Sequence, residues 1–598
     1  MIKLAGSSDR DCQRCAAMAL CNLGTNLENM ANIVKQGALT PLIGMLKSNN
    51  RDVEKYASMT LCNLAAWGDN QIKIVEQGGL QPLIDVCGQD DPDCQRYAGM
   101  TLCNLATARP NRLKIVENGG LVPLVKMAAS EFLECQRASA LALFNLSCSP
   151  QNQISITAEN GPAPLIKLAR SPDVDCRRYA TMTLCNLSAN PETRTSATRG
   201  GGLQALVLVA KDADIECRRY ATIALCNLAN SPQTQVQVIV HGGLAPIMAM
   251  ANSDDIDCQR QAIMAINNLA ANEENHAVMF GKDVLKRVIQ LAQSQDQDIM
   301  QYSAFALANF SSNPESHLQL GRDGAIPPLI GLANSEDDNC RCLAIAALRR
   351  LAEYSENRYQ IVAKGVLPAL AMAGRSRELE IQREVSACLC NLSLNDQNKV
   401  AIAKSGALKP LCDLCKSEDV EVARQACGGV ANIVENVETH AYVSGSGGGS
   451  FMVGLMNHDN IDVHREASRA IANLLTSFGN HDAIIRDGIP GLVHLAVSAD
   501  LECQYHGALA FRKLAPNLDS HKRIIDAGGL QSLFTLIGVN DLKIQRQAAT
   551  ALRDLAANEL FKIQFVDEGG LDAMIELSKD DNVGLRCLAV ASLRHLSL

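Results

Sequence analysis

The tetrapeptide Leu-Cys-Asn-Leu occurs at residues 20–23, 61–64, 102–105, 184–187 and 225–228. Successive copies are 41 residues apart, or 82 where the phrase changes to Leu-Phe-Asn-Leu at 143–146. A constant period of this length is the sequence signature of a repeat array. The asparagine of the phrase therefore identifies one position of the repeat, called the marker position below.

The marker position recurs along the whole chain. Between Asn22 and Asn473 its spacing stays at 41 residues, although Arg350 replaces one asparagine. One residue is then lost, and the last three copies carry Lys513, Asp554 and His595. A repeat array can continue without a domain boundary, so these fifteen copies predict one continuous array rather than several domains.

The residues around the marker position predict a long helix with one buried side. The residue two positions earlier is apolar in every copy, and the residue after it is Leu, Ile or Phe. At about 100° per residue, these positions share one face of a helix. Shorter apolar segments precede it, as at 71–75 and 80–84, separated by Gly78-Gly79. A glycine pair can end a helix, so each unit is predicted to be short helix, second helix, long helix.

This pattern resembles the armadillo repeat of β-catenin, importin-α and the vacuolar armadillo scaffolds of fungi. The phrase Cys-Gln-Arg-Tyr-Ala at 94–98 is most similar to the vacuolar type and to related proteins of protists and algae. The resemblance implies an all-α fold, a right-handed superhelix or armadillo solenoid with three helices per 41-residue repeat. We expect a single domain over 1–598, with the long helix of a partial repeat at 1–26 and about fourteen further repeats at 27–598.

Three positions of the long helix form a strip opposite the apolar column: the marker position and the positions four and eight residues before it. In the first seven copies the position eight before is Arg or Lys, and the position four before is Met, Leu or Ile. The resemblance implies that this strip lines a groove that binds partner proteins. The predicted groove residues are Arg14, Asn22, Asn63, Arg96, Asn104, Arg137, Asn145, Arg178, Asn186, Arg219, Asn227, Arg260, Asn268 and Asn309.

Two interpretations of this strip stay open. In the first, the asparagine amides bond the backbone of an extended partner, and the arginine forks favour carboxylates, so acidic or extended segments are the expected partners. In the second, the asparagines cap or bridge neighbouring helices and the arginines pair with the acidic residues that precede each long helix. The second interpretation is purely structural.

No catalytic or cofactor-binding constellation is found. The eleven histidines form no repeated acid, base and nucleophile set, and phosphate-loop, dinucleotide and zincin motifs do not occur. Cysteines ten residues before the marker position alternate with Val or Ile in other copies, as small hydrophobic residues would. We therefore expect no enzyme, no metal and no cofactor.

Charge and hydropathy exclude further classes. The net charge of −9 gives no dense positive field, so we expect no nucleic-acid binding. No run of eighteen apolar residues occurs, so direct membrane insertion is not expected. With no signal-peptide or myristoylation pattern at its N-terminus, the chain is predicted to be cytoplasmic, with cytoskeletal or ciliary association as an alternative.

We therefore predict a scaffold or adaptor that binds extended or helical partner segments in a concave groove. One alternative is a structural component of a large multiprotein assembly, such as a cilium, an axoneme or another cytoskeletal complex, which the constant period favours. A nuclear transport receptor is less favoured, because Met stands where importin-α carries the Trp that clamps lysine stems. Loss of the marker asparagine in several copies from Arg350 onward predicts a different partner for the C-terminal part.

Overall fold

The computed structural model describes residues 1–280, 283–456 and 458–597, and this part of the chain contains helices and turns but no strand. Its contacts divide it into two units, Met1–Arg287 and Val288–Leu598. Both units are built from the same three-helix repeat, which confirms the predicted all-α repeat fold. The single domain over 1–598 stays a prediction.

The long helices contain 14 to 16 residues each. They span Arg10–Leu23, Arg51–Ala65, Pro92–Thr107, Leu133–Ser147, Val174–Ala189, Ile215–Ala229, Ile256–Ala270, Gln297–Phe310, Asp338–Leu351, Leu379–Ser393, Val420–Ile433, Ile461–Leu474, Leu501–Leu514, Leu542–Ala556 and Val583–Ser597.

Two shorter helices precede most long helices. The first helices are Leu27–Lys35, Gly68–Glu76, Arg109–Glu117, Pro150–Ala158, Pro232–Val240, His276–Phe280, His317–Asp323, Ser355–Ala363, Asp396–Lys404, His440–Gly445, His481–Asp487, Leu518–Asp526 and Lys562–Asp567. The second helices are Ile2–Ala5, Leu39–Met45, Leu80–Cys87, Leu121–Ala128, Pro162–Leu168, Gly202–Val209, Leu244–Ala251, Val284–Leu291, Ile326–Ala333, Leu367–Ala373, Leu408–Leu414, Gly448–Leu455, Ile489–Ala496, Gly529–Ile537 and Gly570–Leu577. Short 3₁₀ turns lie at Arg194–Ala197, Arg199–Gly201, Glu273–Asn275, Pro314–Ser316, Val437–Thr439, Phe478–Asn480 and Glu559–Phe561.

Most long helices begin at an Asp or Asn that caps them. The side chain of Asp91 accepts a hydrogen bond from the backbone N–H of Cys94 at 2.9 Å, and Asp173 accepts one from Cys176 at the same distance. Such caps satisfy N–H groups that the first helical turn leaves unpaired. The Asp and Asn caps therefore fix where most long helices begin.

The apolar column two positions before the marker forms the core. Every member from Leu20 to Leu552 is at most 2% exposed, and Leu593 is half-buried. Successive long helices within each unit lie side by side and pack this column between them. Full burial of one leucine contributes about 1.5–3 kcal/mol, so the column is the main source of stability of the array.

One repeat departs from the predicted three-helix pattern. Its first helix is replaced by the 3₁₀ turns Arg194–Ala197 and Arg199–Gly201. The segment contains Pro191 and four Ser or Thr residues within 193–198. These residues have low helix propensity because their hydroxyls bond the nearby backbone, and the Thr198 hydroxyl donates to the Thr195 carbonyl at 2.7 Å. The sequence pattern thus missed a local break in helical structure.

The single residue lost from the period lies in a turn between a first and a second helix. Gly488 alone joins His481–Asp487 to Ile489–Ala496, and its φ of −95° is right-handed. The neighbouring repeats use a left-handed glycine there, Gly447 at φ 81° and Gly528 at φ 80°. The deletion therefore shortens a surface turn and leaves the helices intact.

Candidate partner-binding strip

The predicted strip lies on the side of the long helices that faces away from the buried column. Its apolar members are half-buried in most copies, and the exposed fraction reaches 45% at Met18 and 38% at Met100. An apolar row that stays partly in water, on helices whose other apolar residues are buried, is a surface available for binding.

The marker asparagines bridge successive repeats within the first unit. In five of them, Nδ2 donates a hydrogen bond to a group of the preceding repeat, and Oδ1 has no partner in the described part of the chain. The donor and acceptor pairs are Asn63 to the Cys21 carbonyl (3.1 Å), Asn104 to the Cys62 carbonyl (3.2 Å), Asn145 to the Cys103 carbonyl (3.2 Å), Asn186 to the Ser147 hydroxyl (2.9 Å) and Asn227 to the Ser188 hydroxyl (3.2 Å). Each amide therefore combines a structural bond with a free acceptor on the strip.

The basic residues of the strip also bridge repeats. The contacts of the described residues include six pairs with a carboxylate at the start of the next long helix, and in four of these pairs the acid is the N-cap residue. The pairs are Lys55 with Asp93, Arg96 with Glu134 (3.2 Å), Arg137 with Asp173 (2.5 Å), Arg178 with Asp214 (2.5 Å), Arg383 with Asp419 (2.6 Å) and Arg465 with Asp500 (2.5 Å).

These ion pairs change the charge that a partner would meet. The Arg137 guanidinium holds the pKa of Asp173 well below its usual range, and Arg178 does the same for Asp214. Both acids therefore stay ionised, and the row of arginines is largely neutralised by its own chain. These contacts are the ones that the second, structural interpretation predicts. Because they neutralise the arginines, they weaken the argument for acidic partners along most of the strip.

Arg219 is different from its neighbours. It is exposed and forms no ion pair in the described part of the chain. The pKa of Asp255, the next N-cap, is lowered mainly by hydrogen bonds from the backbone N–H groups of Cys258 and Asp257, and the charge of Arg219 adds a smaller contribution. A cavity of 420 Å³ adjoins it, lined by apolar residues such as Ile215 and Met250 as well as by Asp255. This is the place on the strip where an unpaired cation and an apolar recess occur together.

The remaining predicted residues have other surroundings. Arg14 lies 3.8 Å from Asp11, and Arg260 lies 2.9 Å from Asp257, each within its own helix. Asn22 is exposed, Asn268 donates to Oδ1 of Asn230 at 2.5 Å, and Asn309 is half-buried. The structure places the predicted residues on one face of their long helices in each unit. Their role in partner binding stays a prediction.

The N-cap aspartates have a second role, which is the one that the structural interpretation of the strip predicts. Asp173, Asp214 and Asp500 each cap a long helix and also bind the arginine of the preceding repeat. A signal for them exists in the recurring Asp-x-x-Cys pattern, as at 173–176 and 214–217. The pattern shows the cap, whereas the ion pair depends on the position of the next repeat.

In the second unit, Asn391 and Asn432 also bridge to the preceding repeat, through the Arg349 carbonyl at 3.2 Å and the Ser393 hydroxyl at 3.0 Å, and a lysine takes the same role in a later repeat. Lys513 stands at the marker position and donates to the Ala472 carbonyl at 2.7 Å and to the Thr476 hydroxyl at 2.8 Å. Burial lowers the pKa of Lys513 to about 8. The bridge is therefore preserved at Lys513 although the asparagine is lost. A separate partner for this region stays a prediction.

His506, on the same long helix as Lys513, is expected to make folding pH-dependent. Burial lowers the pKa of His506 from 6.5 to about 4, helped by the charges of Arg469 and Lys513 and opposed by Asp500. Between pH 6.5 and 4 the unfolded chain therefore binds more protons, and stability falls as the pH falls. The loss at this helix should approach about 3 kcal/mol at pH 4, measured by hydrogen exchange corrected for intrinsic rates. His506→Gln should show a smaller loss, and an equal loss in both proteins would refute the assignment.

The cysteines are free thiols, and most are buried. Burial raises the pKa of Cys103 and Cys176 to about 12, which keeps both protonated and unreactive at neutral pH. In residues 1–280, 283–456 and 458–597, no group of His, Cys, Asp and Glu has the arrangement of a metal site. Within the same ranges, no helix combines the length and the apolar character needed to cross a membrane.

Parts of this chain match known repeat profiles, and its fold is similar to that of solved structures. The sequence profile of the Armadillo/beta-catenin-like repeat matches residues 395–435, and the Armadillo-like profile matches residues 201–296. A crystal structure of an engineered protein is similar with 26% identity and a TM-score of 0.55, over 66% of this chain and 98% of that chain. A chain solved in work on a phosphorylation switch that controls the interaction between cadherin and beta-catenin is similar in fold. It has 15% identity and a TM-score of 0.65, over 79% of this chain and 100% of that chain. No curated protein sequence matches this chain.

Proposed function

We propose that this chain, whose residues 201–296 and 395–435 match armadillo-repeat profiles, is a scaffold or adaptor that binds an extended or helical segment of a partner protein along the strip. Armadillo folds are typical of protein-binding scaffolds that carry out no catalysis. The observation that carries the proposal is the row of half-exposed apolar residues. It is flanked by five asparagines whose Oδ1 atoms have no partner among the described residues: Asn63, Asn104, Asn145, Asn186 and Asn227. A partner backbone would donate to these atoms while its apolar side chains cover the row.

Arg219 and its cavity favour an acidic residue next to an apolar one in the bound segment. The guanidinium can bond a carboxylate with two parallel N–H donors, and the recess beside it can take an apolar side chain. Charge reversal at Arg137 or Arg178 would also break an ion pair between repeats, so its effects on binding and on folding would be mixed. Arg219 has no such pair to lose, and it gives the cleaner test.

The test uses peptides selected from a display library against the whole chain, with affinities measured by fluorescence anisotropy. Arg219→Gln should weaken the selected acidic peptides about tenfold or more, because a charge-assisted bond contributes roughly 1.5–3 kcal/mol. Lys114→Glu, at an exposed lysine on the first helix Arg109–Glu117, should leave the affinity unchanged. Failure to select any binder, or equal affinity for Arg219→Gln and the unchanged chain, would contradict the proposal.

Two alternatives make different predictions. A structural component of a cilium or other large assembly, for which the constant period is the support, would sediment with filaments or axonemes instead of binding short peptides. A nuclear transport receptor would bind lysine-rich peptides tightly. Its support is weak, because the strip has methionines in place of tryptophans and the single Trp67 lies at the start of a first helix, away from the strip. Cytoplasmic location is part of the main proposal.

A further inference from the structure

A second cavity lies outside the strip, where the 3₁₀ turns replace a first helix. It has a volume of 490 Å³ and lies between the second helix Pro162–Leu168 and the turn Arg199–Gly201 of the next repeat. This volume falls within the range of about 300–1,000 Å³ that is usual for small-molecule sites. The turns therefore create a space of the size of a ligand.

Three basic residues line this cavity: Lys167, Arg170 and Arg199. No Asp or Glu is among its lining residues, which the structure describes completely. Lys167 and Arg199 are exposed and form no ion pair in the described residues. This differs from the strip, where most arginines are neutralised by acids of the next repeat. On a chain with a net charge of −9, the cavity concentrates uncompensated positive charge.

The third cation is held in place by the glycine turn. Arg170 donates from Nη2 to the Gly201 carbonyl at 2.9 Å, which leaves its other N–H groups available. Gly200 and Gly201 both have left-handed backbones, with φ of 60° and 87°. Two successive positions with left-handed backbones favour glycine at both, because residues with a Cβ atom rarely adopt this conformation. The turn therefore fixes a guanidinium at the edge of the cavity.

The rest of the lining combines neutral polar groups with the apolar side chains of Pro162, Ala163 and Ile166. The hydroxyl of Ser196 has no hydrogen-bond partner in the described residues, and the side chain of Asn160 also lines the cavity. Both can donate hydrogen bonds to oxygen atoms of a bound anion. Arginine forks match the tetrahedral oxygens of phosphate with two parallel bonds, and lysine supplies a point charge.

We propose that this cavity binds a small compound carrying two or more phosphate groups, either free in solution or as a phosphorylated lipid headgroup. Three positive side chains around one cavity match an anion that carries several negative charges. The cavity is also larger than a single phosphate group requires. The site is separate from the partner-binding strip, so it would add a second ligand to the function proposed above.

The test measures binding of pyrophosphate and of inositol hexakisphosphate to the full chain by isothermal titration calorimetry at physiological salt. At least one probe should bind with one-to-one stoichiometry, and Lys167→Glu/Arg199→Glu should weaken it at least tenfold. Both residues are exposed and unpaired, so folding should be preserved, which circular dichroism checks. Lys73→Glu is the control. Lys73 is an exposed lysine on the first helix Gly68–Glu76, away from the cavity, and this variant should bind like the unchanged chain.

Vesicles distinguish the two sources of phosphate. Flotation with phosphatidylcholine vesicles that contain a phosphatidylinositol bisphosphate, lost in the double variant, would support a headgroup ligand. Binding of the free probes without flotation would support a soluble ligand. The proposal would be overturned if neither probe nor vesicle bound, or if the double variant bound as tightly as the unchanged chain. It would also be overturned if the cavity took only a phosphoserine peptide.

Discussion

Leu184→Ala is expected to destabilise its repeat by about 3 kcal/mol, within the range of 2–5 kcal/mol that removal of a buried leucine usually costs. Leu184 is fully buried in the long helix Val174–Ala189 and belongs to the column that packs against both neighbouring long helices. The close-packed interior cannot collapse onto the space that the substitution opens. The loss should be large because two helix interfaces share this side chain.

Local measurement is needed, because the stability of a repeat array is roughly a sum of repeat and interface contributions. Hydrogen exchange should show protection falling about a hundredfold in Val174–Ala189 and less in long helices several repeats away. Leu208→Ala is the matched control, since Leu208 is 59% exposed on a second helix of the next repeat. We expect that change to cost less than about 1 kcal/mol. Equal losses for the two leucines would refute the buried column as the core.

Gly321→Ala is expected to cost about 2–4 kcal/mol, although alanine ordinarily favours helices over glycine. Gly321 lies in the first helix His317–Asp323, and a Cβ there would overlap the side-chain amide of Asn357. That amide is buried and donates to the carbonyls of His317 and Leu351, each at 3.0 Å. Displacing it leaves buried polar groups unpaired, at about 1–3 kcal/mol each.

Gly331→Ala is the control, with an effect of opposite sign. Gly331 is exposed in the second helix Ile326–Ala333, and a Cβ there would meet nothing within 4 Å. The substitution should stabilise the protein by about 0.5–1 kcal/mol through helix propensity and a less flexible unfolded chain. Thermal unfolding and local hydrogen exchange measure both variants. If Asn357→Ala fails to reduce the cost of Gly321→Ala in a double-mutant cycle, the steric explanation is wrong.

Apart from one repeat, the sequence alone predicted the repeating unit. The 41-residue period, the apolar column and the acidic helix starts identified three helices per repeat, because helical periodicity and capping depend on residues close together in the chain. The 3₁₀ turns near Pro191 were not predicted, because the repeat period gives no sign of a local change in composition. A few Ser and Thr residues lower the summed helix propensity of this segment enough to prevent an α-helix. The positions of the strip on the long helix also followed from local geometry.

What the strip residues touch was decided only by the tertiary structure. Arg178 reaches Asp214, 36 residues later. Arg219 occupies the same register position but forms no ion pair with Asp255 within the described part of the chain. The sequence pattern around both arginines is nearly identical, so no local rule separates them. The spacing and rotation of the next repeat decide which carboxylate a long side chain can reach. Both arise from packing over the whole helix interface. For the same reason, the basic cavity near Arg199 could not be found from the period alone.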